Sequence, residues 1–434
     1  MSPIGPISPM SPMGHIPKTL KPWNHETLKS LLRAIEQFPG YYTPILRAAG
    51  LSAESVTLED FLSRCPFTTK NDLVADREEH PPFGSNFTEP PLRYTRFCQT
   101  SGTSSGHPLA IVDTPESWTA MLEAWRQVYS SAGVQPGERI FFAFSFGPFL
   151  GFWTAFEAAA DRYLVLPGGG LGSGGRLELI YRFQASVLCC TPTYALRLGE
   201  VLQQTPELNN QPCPIRLIIV AGEPGGSLPA TRERLQSLWH DARIFDHHGL
   251  TEVGPVSHEH PDHPGLLIVM TDFYLAEILD CKTGEEVPDG GEGELVLTTL
   301  QRLASPLLRY RTGDLVRKRM MDGVLCLEGG VIGRCDDMLV VRGVNVYPSA
   351  IENILTSFPD IAEFQIREER RGPLAELRVL IEPISHLNED AVATLVEAAA
   401  DRLRANLTLR IPVEAVPPGV LPRQEFKSKR WLRI

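Results

Sequence analysis

The fold is decided by four apolar runs, RIFFAFSF (139–146), RYLVLP (162–167), ASVLCC (185–190) and IRLIIVAG (215–222). Amphipathic helical patterns alternate with these strand-like runs, at residues 115–131, 176–183, 193–204 and 229–239. Apolar strands that alternate with helices are typical of a parallel sheet whose two faces are both covered. The sequence therefore predicts an α/β core built on a largely parallel sheet.

Outward from this core, the pattern changes in both directions. On the N-terminal side, residues 25–90 predict a helical lead-in, whereas the Pro-, Met- and Ser-rich residues 1–24 predict a disordered segment. On the C-terminal side, residues 265–330 alternate apolar runs with Gly-rich turns, which predicts a β-rich annex of antiparallel hairpins. Residues 336–434 combine helical patterns with short strands and predict a separate, small α+β domain.

Composition limits the functional classes. The 434 residues carry a formal net charge of −11, which argues against general binding of nucleic acid or of an anionic membrane. No apolar run reaches the length that spans a bilayer. The 8 cysteines include no CxxC pair, which is typical of buried thiols in a reducing cytoplasm and not of a disulfide framework. We therefore expect a cytoplasmic protein.

The segment QTSGTSSGHPLAI (99–111) is rich in hydroxyl side chains and glycine. Glycines let a backbone approach an anion, and backbone N–H groups and hydroxyls donate hydrogen bonds to phosphate oxygens. On composition alone, a plain surface loop is the commoner interpretation. The segment is not a Walker loop, because no GK[ST] follows at the required spacing.

Gly170, Gly172 and Gly175 match GxGxxG, but without an acidic ribose partner they are interpreted as a flexible loop.

The motifs that follow this segment favour the phosphate-binding interpretation. They are AGEPG (221–225), DHHGLTEVGP (246–255), LRYRTGDL (308–315), GRCDDMLVVRGVNVYPSAIE (333–352) and PRQEFKSKR (422–430). In this order they resemble the motif series of the adenylate-forming superfamily of acyl- and aryl-CoA ligases, adenylation domains and luciferases. Within it, PFTTKNDL (66–73), AGEP and GLTEVGP are similar to the phenylacetate–CoA ligase family. The resemblance covers roughly residues 25–434.

The resemblance implies an α/β architecture with two domains. A large N-terminal adenylation domain of layered sheets and helices would cover residues 25–335, and a small mobile α+β lid domain would cover residues 336–434 and swing about Asp336. The implied activity is that of an AMP-forming ligase that activates a small-molecule carboxylic acid. The implied cofactors are ATP, Mg²⁺ and CoA, and because related ligases are often dimers, a homodimer is one expected assembly.

The same resemblance implies a role for each matching residue. Lys427 would bridge the substrate carboxylate and the α-phosphate, and Glu252 would hold Mg²⁺. Asp314 would accept hydrogen bonds from the ribose hydroxyls, with Arg334 beside it. The other implied nucleotide- or CoA-binding residues are Ser101, Gly102, Thr103, Ser104, Ser105 and Gly106 for the phosphates, Lys70 for the same phosphates, Gly222, Glu223, Pro224, Asp246 and His248 for the adenine slot, Thr251 in the GLTEVGP segment, and Gly343 for the pantetheine arm.

Some residues depart from the family pattern. His107 and Leu109 stand where a basic residue often follows the Ser/Gly loop, His248 replaces a tyrosine, and Phe426 replaces the glycine before Lys427. A separate cluster, His258, His260 and His263, has a spacing that zinc sites use, although a polar loop is the commoner interpretation.

The sequence does not identify the substrate. The segment FSFGPFLGFW (144–153) predicts either a wall for a flat aryl acid or ordinary core packing. The leading hypothesis is an aryl- or arylacetyl-CoA ligase. One alternative is an adenylating enzyme whose acceptor is a carrier protein, an amine or a phenolic cofactor, and a further alternative is a non-catalytic nucleotide-binding protein.

Overall fold

The computed structural model describes residues 25–100, 108–335, 339–341, 344–346, 348–371, 374–385, 387–407, 409–422 and 430–433. The helices are α1 (His25–Gln37), α2 (Tyr42–Ala48), α3 (Leu58–Arg64), α4 (Lys70–Glu79), α5 (Pro115–Ser131), α6 (Leu150–Ala160), α7 (Ser173–Arg182), α8 (Pro192–Gln203), α9 (Pro206–Asn209), α10 (Pro229–Leu238), α11 (Pro348–Thr356) and α12 (Glu389–Leu407). Within these ranges, no helix has both the length and the apolar character to cross a membrane. The predicted disordered segment 1–24 lies outside the described residues.

The described residues form nineteen strands. They are β1 (Arg96–Gln99), β2 (Ala110–Asp113), β3 (Arg139–Phe142), β4 (Leu164–Pro167), β5 (Val187–Cys190), β6 (Leu217–Val220), β7 (Arg243–Leu250), β8 (Gly254–His260), β9 (His263–Val269), β10 (Tyr274–Leu279), β11 (Glu292–Thr299), β12 (Tyr310–Met321), β13 (Val324–Arg334), β14 (Leu339–Val341), β15 (Val344–Val346), β16 (Ile361–Arg371), β17 (Leu374–Pro383), β18 (Val413–Ala415) and β19 (Trp431–Arg433).

The largest sheet has eleven strands in the order β10-β11-β12-β13-β9-β8-β7-β6-β5-β3-β4. From β7 to β4 all neighbours are parallel. Alternate residues of these strands enter two different cores: Leu188 and Ile218 pack with α7, α8 and α10, whereas Val187 and Leu217 pack with α5 and α6. The predicted parallel sheet, covered on both faces, is confirmed.

The same sheet becomes antiparallel beyond β7. Each pair from β7–β8 through β10–β11 is antiparallel, which confirms the hairpins predicted between residues 265 and 330. These hairpins do not form a separate annex, because β7 pairs with β6 on one side and with β8 on the other. The strand β7 therefore joins the two halves of the sheet and, as shown below, ends in the candidate site.

The helical lead-in docks onto the antiparallel half of the sheet. Leu28, Leu31, Leu32 and Ile35 of α1 are buried, and their core includes Leu308 just before β12. Arg309 donates from Nη1 to the carbonyl oxygens of Leu62 (2.6 Å) and Cys65 (3.0 Å), so the lead-in is also tied to the sheet by polar contacts.

The C-terminal residues form a unit with its own core. The four-stranded sheet β18-β17-β16-β19 packs against α11 and α12 around Ile351, Ile366 and Leu403, and the buried residues of this core all follow residue 338. A separate core beyond Arg334 agrees with the predicted boundary at residue 335, which stays a prediction.

The prediction of buried thiols is confirmed for five of the eight cysteines and is wrong for one pair. Cys281, in the turn after β10, and Cys335, directly after β13, form a disulfide with a Cα–Cα distance of 6.4 Å. They are 54 positions apart, so no short motif announces the pair. Of the six remaining cysteines, all are free thiols, and Cys213 alone is not fully buried.

Candidate active site

The carboxyl ends of β6 and β7 bring two of the sequence motifs to one edge of the sheet. The loop after β6 contains Gly222 and Pro224, both exposed, and Gly222 has a φ of +92° that suits glycine. Glu223 of this loop accepts a hydrogen bond from the backbone N–H of Thr193 (2.7 Å) and thereby caps α8. The crevice outside the carboxyl ends of parallel strands is where ligands of open α/β sheets bind.

Glu252 lies in the turn between β7 and β8, and its side chain is buried. The Nζ of Lys70 lies 3.5 Å from its Oε1, and the hydroxyl of Tyr310 donates to the same oxygen at 3.4 Å. Lys70 is the first residue of α4, which begins with a capping box formed by Thr69 and Asp72. The fold thus brings Lys70 and Glu252, two predicted site residues far apart in the sequence, into an ion pair.

Asp314 is the centre of a second polar cluster. It lies opposite Arg334 in the β12–β13 register, and Nη1 of Arg334 donates to its Oδ1 (3.0 Å). His248 contacts the other oxygen, Oδ2, through Nε2 at 3.1 Å. Burial alone would raise the pKa of Asp314, but the hydrogen bonds and charges of His248 and Arg334 lower it below its ordinary value. The cluster therefore holds a fixed, ionised carboxylate.

Gly313 makes this arrangement sterically possible. Its φ is +75°, and a Cβ at this position would lie 2.4 Å from Nη2 of Arg334. A side chain at position 313 would therefore displace the guanidinium from Asp314. The glycine of the TGD motif has a packing role that its appearance as a turn signal does not reveal.

Comparison with known proteins decides the family. A profile described as "AMP-binding enzyme" matches residues 74–301, and one described as "AMP-binding enzyme C-terminal domain" matches residues 343–432. A phenylacetate–coenzyme A ligase of Thermus thermophilus is 31% identical to this chain over 94% of the chain and 94% of its own length. This chain belongs to the AMP-binding enzyme family. The predicted resemblance to the adenylate-forming superfamily is confirmed, and the reaction class is that of an AMP-forming ligase.

The fold of the family is confirmed by solved structures. A 2-hydroxyisobutyryl-CoA ligase in the postadenylation state matches with a TM-score of 0.87 at 27% identity, covering 94% of this chain and 88% of that one. The same ligase in the thioesterification state matches with a TM-score of 0.67 at the same identity and coverage. Because the aligned sequences are the same, the lower score reflects a different arrangement of that ligase. The chain described here is more similar to the postadenylation arrangement of that ligase than to its thioesterification arrangement.

Among the predicted site residues of this AMP-binding enzyme, Asp246 has a raised pKa and forms hydrogen bonds within the protein. Its carboxyl group is buried and accepts hydrogen bonds from Ser227 Oγ (2.5 Å) and from the backbone N–H of His247 (2.9 Å). Burial raises its pKa to about 7, a shift that the Ser227 hydrogen bond opposes and the charge of Glu259 increases. The carboxyl group of Asp246 is thus engaged within the protein, and its predicted role in the adenine slot stays a prediction.

Tyr310 is a site residue to which the sequence interpretation gave no role. Burial and the charge of Glu252 raise its pKa well above the ordinary value, and Asp314 and Arg334 also act on it. Tyr310 therefore lies between the two polar clusters and keeps its proton, which it donates to Glu252. The signal was its place in LRYRTGDL, where only the aspartate had been given a function.

Several predicted residues lie outside the described ranges. These are Ser101, Gly102, Thr103, Ser104, Ser105 and Gly106, the hinge candidate Asp336, Gly343 and Lys427. The ends of the Ser/Gly segment are described: the N–H of Thr100 donates to the carbonyl of Leu109 (3.0 Å), and β1 pairs with β2 in antiparallel register. The roles of these residues stay predictions.

The histidine cluster does not form the polar loop that the sequence suggested. His258 and His260 lie in β8 and His263 begins β9, so all three belong to the antiparallel part of the sheet. His258 stacks on Phe245, and His260 contacts His263 edge-on with ring centroids 4.6 Å apart. In the described ranges, no three His, Cys, Asp or Glu side chains are grouped so that they could hold a metal ion.

Proposed function

We propose that this enzyme activates an aromatic carboxylic acid with ATP and transfers the acyl group to CoA. The observation that carries the proposal is the convergence of Lys70, Glu252, His248, Asp314 and Arg334 at the carboxyl ends of the parallel strands. This convergence occurs in a chain that is similar over most of its length to a phenylacetate–coenzyme A ligase.

The first half-reaction is an in-line displacement at the α-phosphate. An oxygen of the substrate carboxylate forms the new P–O bond, and the bond to pyrophosphate breaks, giving acyl-AMP. In the second half-reaction the thiol of CoA, after loss of its proton, attacks the acyl carbon, and AMP leaves with the oxygen. Both steps depend mainly on positioning and on stabilising negative charge.

The described residues fit these tasks. Asp314 is held ionised and in place, so it accepts hydrogen bonds from ribose hydroxyls. Lys70 carries a positive charge beside Glu252 at the predicted phosphate end of the site. The Ser/Gly segment and Lys427 would complete the contacts to the phosphates and to the substrate carboxylate.

A magnesium ion fits Glu252. The ion pair with Lys70 and the hydrogen bond from Tyr310 both involve Oε1 of its carboxylate. A buried carboxylate beside a nucleotide site suits Mg²⁺, which usually takes one or two carboxylates together with phosphate oxygens and water. When bound, the ion would neutralise phosphate charge.

The aromatic character of the acid rests on the segment 144–153. Phe144 stacks on Phe152 with ring centroids 4.2 Å apart, and Phe146 meets Trp153 edge-on at 5.3 Å. The segment is partly exposed, and the carbonyl of Pro148 accepts a hydrogen bond from the N–H of Gln99 (2.7 Å), one residue before Thr100 and the Ser/Gly segment. An apolar wall beside the predicted phosphate loop suits a flat aryl group.

The test is pyrophosphate release with ATP and Mg²⁺ against a panel of aryl, arylacetic, short hydroxy and fatty acids, each with and without CoA. Release that depends on an aryl acid and yields a CoA thioester is expected. A preference for aliphatic acids would contradict the aromatic part, and release without thioester would indicate another acceptor. Binding of ATP without release from any acid would favour a non-catalytic protein.

Two variants link the activity to the polar clusters. Asp314→Asn is expected to raise the KM for ATP by about 10- to 100-fold, the range for losing a hydrogen bond to a charged group. Glu252→Gln is expected to lower kcat by about 100-fold. Glu233→Gln, an exposed change on α10, is the matched control and should leave both constants unchanged. Wild-type kinetics for Asp314→Asn would remove that residue from the nucleotide site.

A further inference from the structure

Arg302 is a buried arginine that the proposed chemistry has not used. It lies between β11 and β12 and is 3% exposed, and its partner Asp113, at the end of β2, is 1% exposed. Nε of Arg302 donates to Oδ1 of Asp113 at 2.8 Å, and Nη2 donates to Oδ2. A bidentate pair of this kind fixes the plane of the guanidinium.

The remaining nitrogen of Arg302 points at the motif that contains Glu252. Nη1 donates to the backbone carbonyl of Thr251 at 3.0 Å and to that of Glu252 at 2.7 Å. A single rigid group therefore joins β2 to the turn after β7. We call Arg302, Asp113 and these two carbonyls the arginine clamp.

The position of Asp113 gives the clamp its functional meaning. Asp113 ends β2, and β2 begins at Ala110, within the last residues of the Ser/Gly segment 99–111. The other end of that segment leaves β1, which pairs with β2 along its whole length. The clamp thus fixes the turn with Glu252 relative to the hairpin from which the predicted phosphate loop extends.

We propose that Arg302 is a positioning residue: it fixes the turn that contains Glu252, so that this carboxylate is held where it binds Mg²⁺ together with ATP. This inference rests on the proposed role of Glu252 as the metal carboxylate. Any buried ion pair can stabilise the fold. The arginine clamp is proposed to strengthen the binding of Mg²⁺ and ATP as well.

The chain contains a matched control for the structural role. Arg309 forms a bidentate pair with Glu277 through Nε (3.0 Å) and Nη2 (2.7 Å), and its Nη1 also donates to two backbone carbonyls, those of Leu62 and Cys65. The geometry is the same and both guanidinium groups are buried. The carbonyls that Arg309 holds belong to the helical lead-in and not to the turn with Glu252.

The experiment compares Arg302→Lys with Arg309→Lys. Lysine keeps the charge but has a single ammonium group in place of a planar fork, so it cannot hold a carboxylate and two carbonyls in one fixed plane. Binding of ATP is measured by calorimetry across a series of Mg²⁺ concentrations, together with the melting temperature and the Mg²⁺ dependence of pyrophosphate release.

Both variants are expected to lose melting temperature, but only Arg302→Lys should raise the Mg²⁺ concentration for half-maximal ATP binding, by at least tenfold. Asp113→Asn, which keeps the shape of the pair, is a second variant with an expected smaller shift in the same direction. Overlapping Mg²⁺ curves for wild type, Arg302→Lys and Asp113→Asn would overturn the inference, as would equal shifts in both lysine variants.

The binding assay contains no acid, so it separates this inference from the proposed function. If wild type binds Mg²⁺ and ATP but releases no pyrophosphate with any acid of the panel, the proposed activity is wrong. The binding curves still test the role of the clamp in that case. If wild type does not bind ATP at all, both are overturned.

Discussion

Asp246 has a carboxyl group that holds its proton more tightly in the folded protein than in the unfolded chain. Its pKa rises from 3.8 to about 7 because the group is buried and Glu259 is near. The folded state therefore binds more protons than the unfolded state between pH 4 and pH 7, so the stability contributed by this group is present at acidic pH and is lost as the pH rises toward 7.

Replacement of Asp246 should remove this dependence. Asp246→Asn is expected to gain about 2–3 kcal/mol of unfolding free energy relative to wild type between pH 5 and pH 8, because the asparagine never ionises. Denaturant unfolding of both proteins at the two pH values measures the change. A constant difference for Asp246→Asn would mean that its carboxyl group does not titrate in this range.

At the scale of single residues, the sequence was sufficient to predict those site residues whose side-chain type indicates their chemistry. Glu252 and Asp314 are acids in recognisable motifs, and the structure places each beside a basic partner. Arg302 and Tyr310 were not predicted as site residues, because their roles depend on contacts with segments far away in the chain. Spacing along the sequence carries no information about such contacts.

Among the secondary-structure elements, β19 was not predicted, because a basic tail is usually solvated. Instead Trp431 begins a strand that runs parallel to β16, and its Nε1 donates to Glu368 at 3.2 Å. Before it, Arg430 donates to Glu363 at 2.8 Å. The tail that follows Lys427 is therefore anchored in the sheet of the C-terminal unit.

Loss of this anchor should affect chemistry as well as stability. Trp431→Ala is expected to reduce unfolding free energy by about 2 kcal/mol, since the side chain is only partly buried, and to slow pyrophosphate release about tenfold by misplacing Lys427. Leu432→Ala, on the same strand with a 40% exposed side chain, should change neither. Thermal melting and the release assay give the two readings. Full activity in Trp431→Ala would show that β19 does not position the lysine.

Helix α6 and strand β8 show why other elements were missed or misassigned. The sequence of α6, LGFWTAFEAAA, is apolar almost throughout, so it has no period that separates a helix from a buried strand. The histidines of β8 suggested a polar loop, but in the sheet their rings are buried and contact other rings. In contrast, α5 was predicted with its observed bounds, because its buried residues recur at helical spacing after a Thr-Pro start.

At the scale of the whole molecule, two units with separate cores are joined by a polar contact between described residues. Arg234 of α10 donates to the carbonyl of Ile361 at the start of β16 (3.3 Å), and to Glu200 within its own unit (2.9 Å). The related ligase is known in a postadenylation, an open and a thioesterification arrangement, and this chain is more similar to the first than to the other two.

If Lys427 acts only in the first half-reaction, its replacement should slow that half-reaction and leave the second nearly unchanged. Lys427→Ala is expected to lower pyrophosphate release at least 100-fold, whereas CoA-dependent release of AMP from a supplied acyl-adenylate should stay within about threefold of wild type. Lys318→Ala, at a lysine that pairs with Glu286 far from the site, controls for loss of positive charge. Equal losses in both half-reactions would contradict the assignment.

The bond between Cys281 and Cys335 adds a practical variable to each of these measurements. It fastens the residue directly after Arg334, and directly before the predicted hinge at Asp336, to the turn that follows β10. Both cysteines are partly exposed, so a buffer thiol can reach them. Purification with a strong reductant would therefore yield an enzyme without this cross-link beside the predicted hinge. Kinetic constants measured on reduced and oxidised samples describe two different molecules and need to be tabulated separately.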